Sequence, residues 1–140
     1  MKGYERYVRG VLDGSIVAGK NIRLMCERFV MMRGREDIYF DDVCVDEAIS
    51  FISNIKHFLG KSAGKYFILE PWQEFVISCI LGLKWKRNNY RVCTETYIQI
   101  ARKAGKDAFM AALALYMMIV DGEASPEIAC LANSRDQARI

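Results

Sequence analysis

The residues best suited to chemistry are Ala101-Arg102-Lys103-Ala104-Gly105-Lys106-Asp107, followed by Ala108. A phosphate-binding loop needs backbone N–H groups turned into a concavity at a helix amino terminus, a lysine for the terminal phosphates and a neighbouring hydroxyl for Mg²⁺. Gly105 supplies the tight turn, and Lys106 is the phosphate lysine. A helix beginning near Asp107 aims its positive end at the anion. Arg102, three residues before Gly105, is placed to reach a γ-phosphate and stabilise charge in a transition state from within the same chain. Two positions depart from the pattern G-x-x-x-x-G-K-[ST]: Ile100 occupies the first glycine position, and Asp107 the hydroxyl position. A carboxylate at 107 can approach Mg²⁺ directly or through water, but it also places negative charge near the phosphates.

An isolated Gly-Lys pair in a basic turn is usually just solvated, so the context decides. Residues 90–100 are rich in Val, Thr, Tyr and Ile and read as one strand or a strand pair. An apolar helix follows the loop. After the turn Asp121-Gly122-Glu123-Ala124-Ser125-Pro126 come a second strand over 127–132 and the start of another helix over 135–140. The order strand, loop, helix, strand, helix predicts the start of a parallel α/β sheet with flanking helices, as in P-loop nucleotide-binding domains. The expected division is a helical amino-terminal region, 1–65, and the incomplete P-loop domain, 66–140.

The upstream region positions this unit. Tyr4, Val8, Val11 and Leu12 mark one helix, and Ile22, Met25, Phe29 and Val30 a second, with breaks near Gly14 and Gly34. A third helix carries Val45, Ile49, Ile52, Ile55 and Leu59 and stops at Gly60. Pro71 suits the first position of a fourth, over 72–83, with Phe75, Val76, Cys79 and Ile80 inward. Gly60-Lys61-Ser62 imitates the end of a phosphate loop but follows a helix, so it reads as a linker to the extended stretch Tyr66-Phe67-Ile68-Leu69. The acids Asp41 and Asp42 imitate a metal-binding strand end, yet the helical spacing after them makes them capping residues.

Composition narrows the class without naming a partner. Hydrophobic residues make up 52% and charged residues 26% of the 140, as in a globular protein. Basic residues exceed acidic ones only as 20 to 17, a net +3 that demands neither nucleic acid nor membrane. The arginines and lysines at 6, 9, 20, 23, 28, 33 and 35 read first as solvated helix faces and second as contacts to DNA phosphates. Five scattered cysteines without a C-x-x-C pair, and a single histidine, His57, fit reduced thiols in a cytosolic protein rather than a metal centre. The longest apolar run, 108–120, is shorter than the about 20 residues of a membrane span.

Taken together, these elements resemble the amino-terminal part of the terminase large subunit of tailed bacteriophages. Leu69-Glu70-Pro71-Trp72-Gln73 is similar to the family's L-x-P-W-Q element, about 30 residues before the loop. The family's loop commonly reads A-R-K-x-G-K-[ST], which residues 101–106 follow, so only Asp107 departs from it. The segment Ile128-Ala129-Cys130-Leu131-Ala132-Asn133-Ser134-Arg135-Asp136-Gln137-Ala138 resembles the family's next strand and its Q-A helix start.

The resemblance implies an ATP-driven motor that packages double-stranded viral DNA, with ATP and Mg²⁺ as cofactors. It implies a portal protein, a small terminase subunit and further copies in a ring as partners, in the cytoplasm of a bacterial host. Gln73 would read adenine beside Trp72; residues 101–108 would hold the phosphates; Arg102 and Lys106 would be catalytic, and Asp107 would lie near the metal. An amide supports the first role on its own chemistry, because it offers both a donor and an acceptor. No acidic strand-end pair and no nuclease carboxylates follow the loop. The expectation is thus an excised or truncated portion that binds nucleotide weakly and hydrolyses little. The competing reading is a noncatalytic module whose basic loop contacts nucleic-acid or partner phosphates; a small kinase lacks room for a lid and an acceptor site.

Overall fold

Apolar spacing, caps and turn residues build five helices and a small sheet among the described residues of this computed structural model, which are 1–57, 63–101, 104–123, 125–129 and 131. In chain order the elements are α1 (Gly3–Asp13), α2 (Lys20–Arg33), β1 (Ile38–Phe40), α3 (Asp42–Ser53), α4 (Pro71–Ile77), β2 (Leu83–Trp85) and α5 (Lys106–Ile119), with a π-helical turn, Ser78–Gly82, between α4 and β2. The chain forms two compact units, Met1–Ile49 with Ile68–Tyr97 and Ser50–Phe67 with Ile98–Ile140.

The first unit is organised by aromatic rings. α1 buries Tyr4, Val8 and Val11 as expected and ends at Gly14. α2 buries Cys26, Phe29 and Met32, whereas Ile22, Met25 and Val30 are exposed. Only Phe29 of the expected α2 set is therefore in the core, because nothing in this unit covers the outer faces of the helix. Tyr4, Phe29, Phe40 and Phe75 meet with ring centroids 5.5–6.4 Å apart, mostly edge to face. Such pairs add about 0.5–1.5 kcal/mol each beyond the area they bury.

Of the two acids expected to cap, Asp41 caps α3, whereas Asp42, in the first turn of α3, bridges to the start of α1. Asp41 Oδ1 accepts from the Cys44 N–H at 3.0 Å at the start of α3, and Asp41 Oδ2 accepts from Lys84 Nζ at 2.7 Å. Burial pushes the Asp41 carboxyl up, but the hydrogen bond from Lys84 and those from the Cys44 and Val43 amides outweigh it and hold it below the usual range. Asp42 accepts from Lys2 Nζ at 2.9 Å and from the Tyr4 hydroxyl at 3.0 Å.

β1 and β2 pair antiparallel, Tyr39 opposite Lys84. The polar break 86–89 is the turn that follows, where Asn89 adopts a left-handed φ of 62° and Trp85 N–H bonds to Tyr90 O at 2.9 Å. Only Arg91, bridged to Lys84, extends the pairing. Two expectations change here. The helix expected over 72–83 ends in the π-helical turn, and Leu83 belongs to β2. Residues 93–100 form no strand, and the only sheet among the described residues is this antiparallel pair, not a parallel one. β-propensity expresses how a side chain fits a pleated, half-buried surface, and 93–100 has no ladder partner among the described residues to supply one.

In the second unit α3 stops at Ser53, short of Gly60, where Asn54 folds its side-chain amide back onto Ser50 O at 2.8 Å. The chain then turns extended: His57 N–H bonds to Lys65 O and Phe67 N–H to Ile55 O, both at 2.9 Å, with His57 stacked on Phe67. The expected Ile55 therefore sits in an extended pair, while Leu59, Gly60 and Lys61-Ser62 lie outside the described residues. α5 packs Phe109, Ala112, Leu113 and Tyr116 inward, the spacing of one helical stripe, and Tyr116 meets Phe51 edge to face at 5.8 Å. Residues 127–129 form no strand; residues 130 and 132 of the expected second strand and the expected helix over 135–140 lie outside the described residues. No helix among the described residues is long and apolar enough to cross a membrane.

Candidate functional site

Gly105 forms a left-handed cap at the exposed amino terminus of α5. Gly105 adopts φ 72°, ψ 14°, the left-handed region, and caps α5, its carbonyl accepting from the Phe109 N–H at 3.1 Å. That conformation costs an L-residue about 1–2 kcal/mol and glycine nothing comparable. α5 accordingly begins at Lys106, one residue before the expected start. The first-turn N–H groups of any helix have no acceptor inside it. Here they open beside Ala104, Gly105, Lys106 and Asp107, all exposed, with Ala108 half-buried behind them. α5 is 14 residues long, so its dipole is developed at this end.

Ala101 is exposed and irregular in conformation; Arg102 and Lys103 lie outside the described residues. Asp107 stands in the first helical turn, where a carboxylate favours the helix dipole even without a metal. No group of three or more His, Cys, Asp or Glu among the described residues is disposed to hold a metal ion. One carboxylate still fits Mg²⁺, which takes one or two protein carboxylates and completes its shell with phosphate oxygens and water. Lys106 and the first-turn amides likewise fit the phosphates of a nucleotide by charge and donor count.

The Pro71-Trp72-Gln73 element lies in the first unit, on α4. Pro71 is its first residue, where the missing N–H is no loss. Trp72 is half-buried, and Gln73 is only 4% exposed. The amide of Gln73 is oriented by its own helix: Oε1 accepts from the Glu70 N–H at 2.8 Å. This bond decides which end of the amide is oxygen, since the nitrogen cannot accept. A carbonyl oxygen has a second lone pair, so Oε1 retains acceptor capacity while Nε2 keeps its donors.

Sequence reasoning missed Glu74. Its Oε2 accepts from the Tyr4 N–H at 3.0 Å, so the residue after Gln73 caps α1 across 70 positions of chain. No local signal announces such a pairing. Ser78 is missed for a different reason: its hydroxyl donates to Phe75 O at 2.7 Å inside the buried π-helical turn, which apolar periodicity cannot distinguish from α-helix.

Of the five cysteines, Cys130 lies outside the described residues. Cys26, Cys44, Cys79 and Cys93 are free, and burial pushes the Cys26 thiol up to about 11, which keeps it protonated and unreactive.

Comparison with known proteins gives one positive result. The family described as terminase large subunit, ATPase domain, matches residues 71–140, from the first residue of α4 through the loop and α5. No curated protein and no solved structure matches the chain. A match over half of the 140 residues, beginning at Pro71-Trp72-Gln73 and including the Gly105-Lys106 cap, shows that the chain belongs to the terminase large subunit ATPase domain family.

Proposed function

We propose that this chain is the amino-terminal ATPase portion of a DNA-packaging motor and that it binds ATP with Mg²⁺ at Gly105-Lys106. The observation that carries the reading is Gly105 at positive φ, capping a 14-residue helix whose first residue is the exposed Lys106. In this reading residues 1–65 are the helical amino-terminal region and 66–140 the first part of the ATPase domain. The parallel arrangement of strands around the loop belongs to this proposal.

Each residue has a role set by its chemistry. The backbone around residues 101, 104, 105 and 108 lines the phosphates, and Lys106 offers a compact positive charge to the terminal ones. Arg102 and Lys103 add positive charge from the loop, and Arg102 stabilises charge developing at the γ-phosphate. Gln73 reads the adenine edge beside Trp72, its Oε1 accepting from the exocyclic amine and its Nε2 donating to a ring nitrogen. Mg²⁺, when bound, neutralises phosphate charge, and Asp107 is the chain's own residue nearest that task. Because Asp107 stands where the family has a hydroxyl, it repels the phosphates whenever the metal is absent. Binding is then weak and strongly Mg²⁺-dependent, and hydrolysis by this portion is slow. Double-stranded viral DNA, a portal protein, a small terminase subunit and other copies in a ring are the partners of the motor, in the cytoplasm of a phage-infected or prophage-bearing cell.

A labelled ATP analogue titrated against the wild-type chain and Lys106→Ala tests the reading. Binding by the wild type with a loss of tenfold or more in the variant is expected, a cost of about 1.4 kcal/mol or more. Equal binding by both refutes the nucleotide site.

A further inference from the structure

We propose that helix α1 sets the pose of the adenine-reading amide, with Glu74 as the positioning residue that joins α1 to α4; the inference rests on Gln73 reading adenine. Gln73 and Glu74 are consecutive in a seven-residue helix, and the two carry their interactions in different directions. Gln73 turns inward to its own helix cap through Oε1 and the Glu70 N–H at 2.8 Å. Glu74 reaches out of α4 to the first turn of α1, where Oε2 accepts from the Tyr4 N–H at 3.0 Å. A carboxylate at a helix amino terminus satisfies an orphan donor and favours the dipole. The bond thus fixes both the start of α1 and the rotation of α4 about its axis.

Side-chain packing reinforces the same junction. Tyr7 of α1 lies 5.6 Å from Phe75, the next residue of α4, and Phe29 lies 5.5 Å from Phe75 on another side. The first turn of α1 is in turn tied to α3: Lys2 Nζ bridges Asp42 at 2.9 Å and Asp46 at 2.8 Å, and the Tyr4 hydroxyl donates to Asp42 at 3.0 Å. α4 by itself is two turns long, too short to hold a fixed pose in isolation. Its orientation comes from α1.

Gly3 makes the contact testable from the opposite side. A Cβ built at Gly3 would lie 2.1–2.6 Å from the Glu74 carboxyl group, closer than atoms can approach. Gly3→Ala therefore displaces the carboxylate. It leaves Glu74 itself in place and is a helix-favouring change in α1.

The amide can tell adenine from guanine because adenine carries an amine where guanine carries a carbonyl, which would face Oε1 with a second acceptor. The ratio of GTP to ATP dissociation constants is therefore the readout. We expect the wild-type 140-residue chain to favour fluorescent ATP analogues over GTP analogues about tenfold, with Gln73→Met abolishing the preference: its side chain has a similar length but neither the amide acceptor nor the amide donors. Glu74→Ala and Gly3→Ala should each lower the preference at least threefold by weakening ATP and leaving GTP unchanged. Glu74→Gln, which still offers an acceptor to Tyr4 N–H, should restore most of it.

If the wild type shows no base preference, or Gln73→Met leaves one intact, the adenine reading fails and this inference with it. If Gln73→Met abolishes the preference while Gly3→Ala and Glu74→Ala keep it, the positioning role alone is refuted. An equal loss of ATP and GTP in both α1–α4 variants also refutes it, since that pattern is general destabilisation.

Discussion

Gly105 offers a perturbation whose magnitude follows from backbone conformation alone. Its φ is 72°, and a Cβ added there meets nothing within 4 Å, so substitution brings no steric contact with neighbours. The whole cost is that of holding an L-residue in the left-handed region, about 1–2 kcal/mol for alanine and more for a β-branched side chain. Asparagine, whose short amide tolerates this region, should cost less than alanine despite being larger. The expected order of stability is therefore Gly105 above Asn, Asn above Ala and Ala above Val. A chain of this size should lose about 3–7 °C in melting temperature for Ala, read by circular dichroism. Nucleotide binding should fall in the same order, because relaxing φ out of the left-handed region turns the first-turn amides of α5 away from the loop. For Ala the loss is about tenfold, the equivalent of 1.4 kcal/mol. The reasoning fails if the variants rank by side-chain volume, with Asn below Ala, since that would place an unseen wall next to residue 105.

Further outcomes follow from other features. Asp107→Ser restores the hydroxyl expected beside the phosphate lysine and should strengthen binding of an ATP analogue more without Mg²⁺ than with it, measured by titration in EDTA and in excess Mg²⁺; a variant that binds more weakly in both would contradict the assigned role. Asp41→Asn keeps an acceptor for the Cys44 N–H but loses the ion pair to Lys84. The Asp41 carboxyl lies below its ordinary 3.8 in the folded chain, so its contribution is complete above the unfolded-state value and disappears as pH falls through the folded one. The stability gap between wild type and variant should thus be about 1 kcal/mol or less near pH 7 and close as the pH drops below 4; urea titrations at several pH values show whether it does. Tyr116→Ala removes a ring that is 1% exposed and packed against Phe51, with an expected loss of about 3–5 kcal/mol by urea denaturation.

Much of the helical architecture was legible because local signals sufficed. The stripe of Tyr4, Val8 and Val11, Pro71 at the first position of α4, the capping Asp41 and Gly105 before an apolar helix all act within a turn or two of the residues concerned. The glycine cap and the start of α5 were legible for the same reason, while Arg102 and Lys103 lie outside the described residues. What escaped depends on distant partners. Residues 93–100 have strand composition, yet a strand needs a neighbour, and none is present among the described residues. The end of α3 was misplaced because Asn54 and the pairing of 55–57 with 65–67 override an apolar spacing that would have continued to Leu59. The α2 stripe was read at the right angle for Ile22 and Met25, but burial depends on what lies opposite, which no periodicity encodes. Glu74 escaped entirely, since its partner is 70 residues away.

The most direct test of the central claim is an equilibrium titration of Mg²⁺ and a labelled ATP analogue against the wild-type chain and Lys106→Ala, with double-stranded DNA as a competitor. The account predicts saturable nucleotide binding by the wild type, at least tenfold weaker binding by Lys106→Ala and no displacement of the nucleotide by DNA. Equal binding by both chains, or displacement of the label by DNA in step with loss of the lysine, would contradict it and leave the basic loop as a contact for nucleic-acid phosphates.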